Sequence, residues 1–470
     1  MKTDAILERA AHLRSVLGEQ YHDRVIESIY TDASHIADAC VTHTGQTGHL
    51  HLDQFLDRAL THRVWGFVVM GLMLFGVFWL TITGANIPSA FLSNLLLDKL
   101  YYALHSGAVS LHMPDWFAGF WIDGVYLAIA WVVAVMLPPM AIFFPLFTLL
   151  EDSGYLPRVA FNLDKLFARA GAHGKQSLTM MMGYGCNAAG VISTRIIDSP
   201  RERLIAILTN NFSICNGRWP TLILIGTIFV GSAAPPALAS SVAAATVMGV
   251  VLLGIVFTLL VSWGLSRTWL QGETSVYSLE LPPYRPPQVL HTIYTSIIDR
   301  TLIVLRRAIV MAAPAGALIW LTSNVEVGDV SIVGHMVSFL DPIGLLIGLN
   351  GIILVAYILA VPANEIVIPT VLMLTLTLSG SDLAKAGVML ELDNAQVHTI
   401  LADYGGWTLL TALNLMLFSL LHNPCSTTLL TIYQETKSIR WTLAAAFLPL
   451  ALGVVVTFIT ASAAHLSGLI

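Results

Sequence analysis

Apolar stretches long enough to enter a lipid bilayer recur from one end of this chain to the other, and nothing else in the sequence constrains the fold as much. They cover residues 64–83, 122–150, 178–197, 204–230, 237–265, 303–322, 343–374, 407–421 and 441–466. A straight helical crossing takes roughly 20 apolar residues, because each residue advances a helix by about 1.5 Å through a hydrocarbon layer about 30 Å thick. Several stretches exceed that length or carry Pro and Gly pairs such as Pro138-Pro139, which predicts broken helices. Only 11% of the 470 residues are charged, against about 25% in a soluble domain. The expected fold is therefore all-α, a polytopic membrane protein with roughly eight to eleven membrane segments, half-helices counted.

Four segments follow from this patterning. Residues 1–60 are polar, lack the short apolar core of a signal peptide and read as a cytoplasmic helical N-terminal segment. Within it Ile6, Leu7, Ala10, Leu13, Val16 and Leu17 recur at helical spacing, and Val25, Ile26, Ile29 and Tyr30 start a second helix. Its histidines, His43, His49 and His51 among them, fit no metal-ligand spacing and read as solvated. Residues 61–265 and 301–470 form two membrane halves, joined by a cytoplasmic linker over 266–300 that contains "LELPPYRPP". Basic residues concentrate around 158–175, 195–203 and 267–307, whereas 323–342 and 379–404 are acidic, with Asp382, Glu391 and Asp393 in the latter. Because cationic loops stay on the cytoplasmic side, the basic loops and N-terminus are expected inside, and the segment between two basic loops is expected to be re-entrant.

Each half repeats one order of events. In the first, "MMGYGCNAAG" interrupts an apolar segment and "NNFSICNGRWP" follows; in the second, "AVPANEIVIPT" is followed by "FSLLHNPCSTTLL". Cys186-Asn187 thus corresponds loosely to Asn364-Glu365, and Cys215 to Cys425. Matching discontinuous segments in two halves point to a transporter whose site lies near mid-membrane, where the breaks meet.

The polar side chains gathered at these breaks are Cys186, Asn187, Cys215, Asn216, Asn364, Glu365, His422 and Cys425, with Asn210, Asn211 and Asn423 beside them. Thiols, an imidazole, amides and one carboxylate suit a late divalent transition metal better than Mg(II) or Ca(II). Other readings stand next to this one. Any single cysteine can be a small packing residue, and Met180, Met181 and Met182 read as packing. His422 can cap or bond a neighbouring helix. Glu365 is hard to explain structurally, since an intramembrane carboxylate costs at least about 2.5 kcal/mol unless paired or wetted, but it can serve as a proton acceptor instead of a ligand.

At these motifs the chain resembles the membrane domain of the FeoB family of ferrous iron transporters. The resemblance rests on "LTHRVWG", "LEDSGYLPRVAFNLDKLFARAGAHGKQ" leading into "MMGYGCNAAG", "RERLIAILTNNFSICNGRWP", "LELPPYR", "VPANEIVIP" and "LFSLLHNPCSTTLLTI", in that order over about residues 55–465. It implies a transporter and not an enzyme, in the bacterial inner membrane, with no permanently bound cofactor. Fe(II) would be its substrate, passing Cys186, Cys215, Glu365 and Cys425. The family usually opens with a GTP-binding domain, yet no G-x-x-x-x-G-K-[ST] loop occurs in this sequence. The partners expected are membrane lipid, a separate G protein on the basic cytoplasmic face and further copies of the chain, with no nucleic acid. Two alternatives remain: a nucleoside or other organic-solute carrier with the same broken-helix design, and a carrier of Zn(II) or Mn(II).

Overall fold

In lipid a backbone must satisfy its own hydrogen bonds, so apolar runs of this length close into helices. The computed structural model describes residues 9, 12, 21–40, 56–62, 64–235, 238–272, 284, 288–328, 330–378 and 394–467. Among these the chain is helical apart from short connections and one antiparallel hairpin, β1 (Glu326–Val327) with β2 (Val330–Ser331). His43, His49 and His51, nearly all of "LELPPYRPP", and Asp382, Glu391 and Asp393 lie outside the described residues. So does most of the first helix expected near the N-terminus; the second is α1, Tyr21–Cys40.

Six helical stretches among the described residues are long and apolar enough to cross a membrane: Trp65–Ser110 (α2), Asp115–Asp152 (α3), Ser241–Arg267, Val289–Asn324, Leu409–Thr436 and Ile439–Leu466. A seventh is added if Ile332–Leu346 and Gly351–Leu359, bent by 113°, count as one span. The shorter apolar helices Trp219–Gly231 and Asn364–Leu376 bring the total into the expected range.

Between these lie the pieces that shape the site. After α4 (Tyr155–Arg169) come α5 (Gln176–Gly185), α6 (Asn187–Ser193) and α7 (Pro200–Thr209), then α8 (Trp219–Ile225) and α9 (Ala239–Arg267). The second half runs through α10 (Ile303–Asn324), α11 (Ile332–Leu346), α12 (Gly351–Leu359) and α13 (Val367–Leu378). It ends with α14 (Asn394–Thr399), α15 (Leu409–Leu421), α16 (Ser426–Thr436) and α17 (Ile439–Leu466).

Two expectations are corrected. The first span does not stop near residue 83: the helix continues to Ser110 through Pro88 and a π-helical turn at Asn94–Leu100. Residues 84–110 remain apolar enough, and helix-forming enough, to carry it on. Pro138-Pro139 does not break its helix either, since Pro138, Pro139 and Pro145 all lie inside the segment Leu127–Asp152 of α3. That segment is clasped between α2 and α10, and the lost N–H donors are tolerated where neighbouring helices fix the backbone.

One hydrophobic core joins both halves, with Phe144, Phe212, Ile214, Leu222, Val355, Val371, Leu415 and Leu420 all at 1% exposure or less. The outer faces are the reverse: Leu72, Phe75, Trp79 and Phe91 of α2, and Phe447, Val455 and Ile459 of α17, are exposed. Only 13% of the apolar window of α2 is buried, as suits a helix facing acyl chains.

Candidate metal path

The break between α5 and α6 is a single residue. Cys186 is extended (φ −154°, ψ 123°), and helix resumes at Asn187. In the second half Ala363 adopts nearly the same backbone (φ −151°, ψ 114°), followed by a 3-10 turn Asn364–Ile366 that feeds α13. The structural register therefore pairs Cys186 with Ala363 and Asn187 with Asn364, one residue away from the loose correspondence seen in sequence. The cysteine loops match as well. The N–H following Cys215, that of Asn216, donates to Gly185 O at 3.2 Å; the N–H following Cys425, that of Ser426, donates to Val361 O at 2.9 Å. Each loop thus latches onto the break of its own half.

The breaks and loops enclose a cavity of about 40 Å³ lined by Cys186, Asn187, Cys215, Asn364, Glu365 and Cys425, with Gly217, Ala363 and Thr428 completing that wall and Met140, Val304 and Ala308 facing it from α3 and α10. Glu365 lies against the backbone of Gly217, where any Cβ would collide with its carboxylate. The Sγ of Cys425 is 3.3 Å from Thr428 Oγ1. Among the described residues no three His, Cys, Asp or Glu side chains stand close enough together to chelate one ion. The arrangement is a passage lined by donors, not a closed coordination sphere. A path has to bind weakly enough to release its ion.

Two of the residues singled out from sequence do not line this cavity. His422 is 2% exposed behind Asn364. Its Nδ1 donates to Ser419 O at 2.9 Å, its Nε2 faces the Asn364 amide at 3.3 Å, and its ring packs on Tyr357 and Phe418. With the proton on Nδ1, Nε2 is an acceptor, so the amide is satisfied by presenting its nitrogen. That orientation gives a partner to the otherwise unpaired nitrogen of Asn364, a residue of the cavity wall. Asn216 is half-buried and anchors the loop through its backbone.

Two side-chain amides hold the first break. Asn210 donates to Asn187 O at 2.9 Å. Asn187, oriented to satisfy its amide, donates to Ser213 O at 3.1 Å and Gly183 O at 3.0 Å. Gly183 and Gly190 let Asn210 approach, and Gly185 admits the ring of Phe143; a Cβ at any of the three would overlap those groups. This answers why glycines crowd the Cys186 segment: the amides that replace lost helical bonds need the room.

Arg218, 1% exposed, was missed by sequence reasoning. Its Nη1 donates to Asn211 O (3.0 Å) and Leu420 O (3.1 Å); its Nη2 donates to Asn211 Oδ1 (2.9 Å), His422 O (3.3 Å) and Asn423 O (3.3 Å). A guanidinium from the first half thus grips the cysteine loop of the second. Its signal was present, an arginine directly before the apolar run "WPTLILIG", but basic residues had been read only as orientation markers.

Comparison with known proteins places this geometry among membrane transport proteins by sequence likeness. A family model described as Gate, nucleoside recognition, matches residues 133–229 and 305–439, and one described as the ferrous iron transport protein B C terminus matches 247–299. The Fe(2+) transporter FeoB of Staphylococcus aureus (strain COL) is 28% identical over 426 residues, covering 87% of this chain and 59% of that protein. The Fe(2+) transporter FeoB of Synechocystis is 27% identical over 424 residues, covering 87% and 62%. A fusion of Fe(2+) transport protein A with Fe(2+) transporter FeoB from Porphyromonas gingivalis is 32% identical over 234 residues, covering 49% and 26%. No solved structure matches the chain. The chain spans about three fifths of the length of the first two relatives. The chain thus carries the Gate model over 133–229 and 305–439 and the ferrous iron transport protein B C-terminus model over 247–299, and it is similar to FeoB transporters over 87% of its length.

Proposed function

We propose that this chain carries Fe(II) across a bacterial inner membrane, with its N-terminus in the cytoplasm, through the cavity where its broken helices meet. The observation that supports the reading most is the lining: three cysteines, one carboxylate and two amides around a space of about 40 Å³. That space admits at most a few waters, at about 10–15 Å³ each. An ion entering it sheds most of its hydration shell. Sulfur from Cys186, Cys215 and Cys425 and oxygen from Glu365, Asn187 and Asn364 replace the lost water, while Glu365 offsets charge. Such a donor set favours Fe(II) or Zn(II) over alkaline-earth ions. A nucleoside needs a pocket of roughly 300 Å³ or more, so the organic-solute reading that the Gate model's description raises would rest not on this space but on the neighbouring cavity of about 410 Å³ lined by Arg306, Arg307 and Gln434. Drive would come from a G protein acting on the basic cytoplasmic face.

Anaerobic Fe(II) uptake into proteoliposomes tests this, with Mn(II), Zn(II) and uridine as competitors and with or without a candidate GTPase and GTP. Fe(II) should accumulate and uridine should not compete. Replacing Cys186, Cys215 and Cys425 together by Ser should abolish uptake while the protein still inserts; full uptake by that variant would falsify the thiol path.

A further inference from the structure

Arg218 carries a charge that the Fe(II) reading does not use. Among the described residues no carboxylate comes within 4.0 Å of its guanidinium, and the partners described above are carbonyl and amide oxygens. Its electrostatic neighbours are the thiols of Cys215 and Cys425, the phenol of Tyr357 and the carboxylate of Glu365. The preceding residue, Gly217, is the one against which Glu365 rests. In the second half, the position three residues after the cysteine is Thr428, which is neutral and bonds Cys425 itself. Position 218 therefore carries a fixed positive charge where position 428 carries none, and it directly follows the residue on which Glu365 rests.

We infer that Arg218 determines the selectivity of the path by cancelling the indiscriminate attraction of Glu365 for divalent cations. A lone carboxylate in a poorly solvated cavity attracts Mg(II) and Ca(II) as readily as Fe(II), because Coulomb attraction depends on charge and distance alone. A guanidinium fixed one residue from that carboxylate's resting place offsets the attraction for every cation equally. What then distinguishes ions is their affinity for sulfur, which hard oxygen-seeking cations lack. The clamp on Asn211, Leu420, His422 and Asn423 keeps the charge in place. This inference rests on the cavity being a cation path.

Equilibrium dialysis of the purified full chain against Ca(II), with no flux required, tests it. Wild type should hold no Ca(II) at this site. Arg218→Gln should gain at least tenfold in Ca(II) affinity, and adding Glu365→Gln should remove that gain. Arg218→Lys, which keeps the charge while losing the planar fork, should remain like wild type. Should Arg218→Gln fail to fold, Thr428→Asp adds a carboxylate to the same wall with the clamp intact and should gain Ca(II) binding too. The inference is overturned if folded Arg218→Gln or Thr428→Asp binds Ca(II) no better than wild type, if wild type already binds it at this site, or if Arg218→Lys gains as much as Arg218→Gln. Absence of Fe(II) uptake by wild-type proteoliposomes would instead remove the transport reading, a separate result from the dialysis.

Discussion

A single missing methyl group decides how closely the acid of this site can approach the loop that carries Cys215. Gly217 has no Cβ, and its place is taken by the Glu365 carboxylate, so the residue between Asn216 and Arg218 fixes where the negative charge rests. Gly217→Ala leaves every donor in the sequence yet forces Glu365 away from the cavity wall it shares with Cys215 and Cys425. Fe(II) uptake in proteoliposomes should then drop at least tenfold while yield and elution volume in detergent stay normal. Unchanged uptake would mean that the position of Glu365 is immaterial to transport. The chemistry-bearing residues were legible in sequence because cysteines, asparagines and a glutamate are conspicuous in apolar surroundings. Their roles were less so. His422 and Asn216 share the motif with the lining residues but act behind it, and no one-dimensional pattern separates a side chain that faces a cavity from one that supports its neighbour.

At the scale of elements, the prolines inside α3 leave that helix intact, whereas the break between α5 and α6 lies where side-chain amides stand ready to replace backbone bonds. The proline-bearing segment of α3 runs through three prolines, each of which lacks a donor, because α2 and α10 hold the backbone in line. The chain between α5 and α6 opens at Cys186 with no proline nearby, because Asn187 takes up the Gly183 carbonyl freed at the end of α5 and Asn210 ties down the Asn187 carbonyl at the start of α6. Proline content is visible in sequence; the availability of an amide 23 residues away is not, so the expectation at Pro138-Pro139 failed while that at Cys186 held. Glycine substitutions should follow the same distinction. Gly190→Ala pushes into the Asn210 amide and breaks its bond to Asn187, leaving buried polar groups unpaired at a cost of about 1–3 kcal/mol. Gly76→Ala on α2, with nothing within 4 Å of the added Cβ, should be neutral or stabilising by up to about 1 kcal/mol, since alanine favours helix. Thermal unfolding in detergent should separate the two variants in that order. Equal midpoints would show that the amide network contributes nothing to holding the break open.

At the scale of the whole molecule, both parts of the chain carry a break with nearly the same backbone conformation, and the sequence disclosed that pairing more clearly than its register. Aligning cysteine to cysteine placed Cys215 opposite Cys425, which the matching bonds to Gly185 and Val361 support. Matching polar residues at the breaks set Cys186 against Asn364, whereas the backbone angles set it against Ala363. Identity of side chains was a poorer guide than conformation, because one half has a cysteine at this position and the other an alanine. The two positions share both the extended backbone and the cavity wall. Ala363→Cys should therefore add a fourth sulfur to a space that already has three. Thiolate is the ligand that Zn(II) favours in structural sites, with bonds of about 2.3 Å, so an added sulfur on this wall lengthens the ion's stay. A path improved as a ligand in this way is impaired as a path. Zn(II) should bind the variant at least tenfold more tightly than wild type and block Fe(II) uptake at concentrations that leave wild type running; adding Cys425→Ser to Ala363→Cys should restore wild-type sensitivity to Zn(II). If Ala363→Cys transports Fe(II) in the presence of Zn(II) as wild type does, position 363 does not face the ion, and the equivalence of the two halves ends at the backbone.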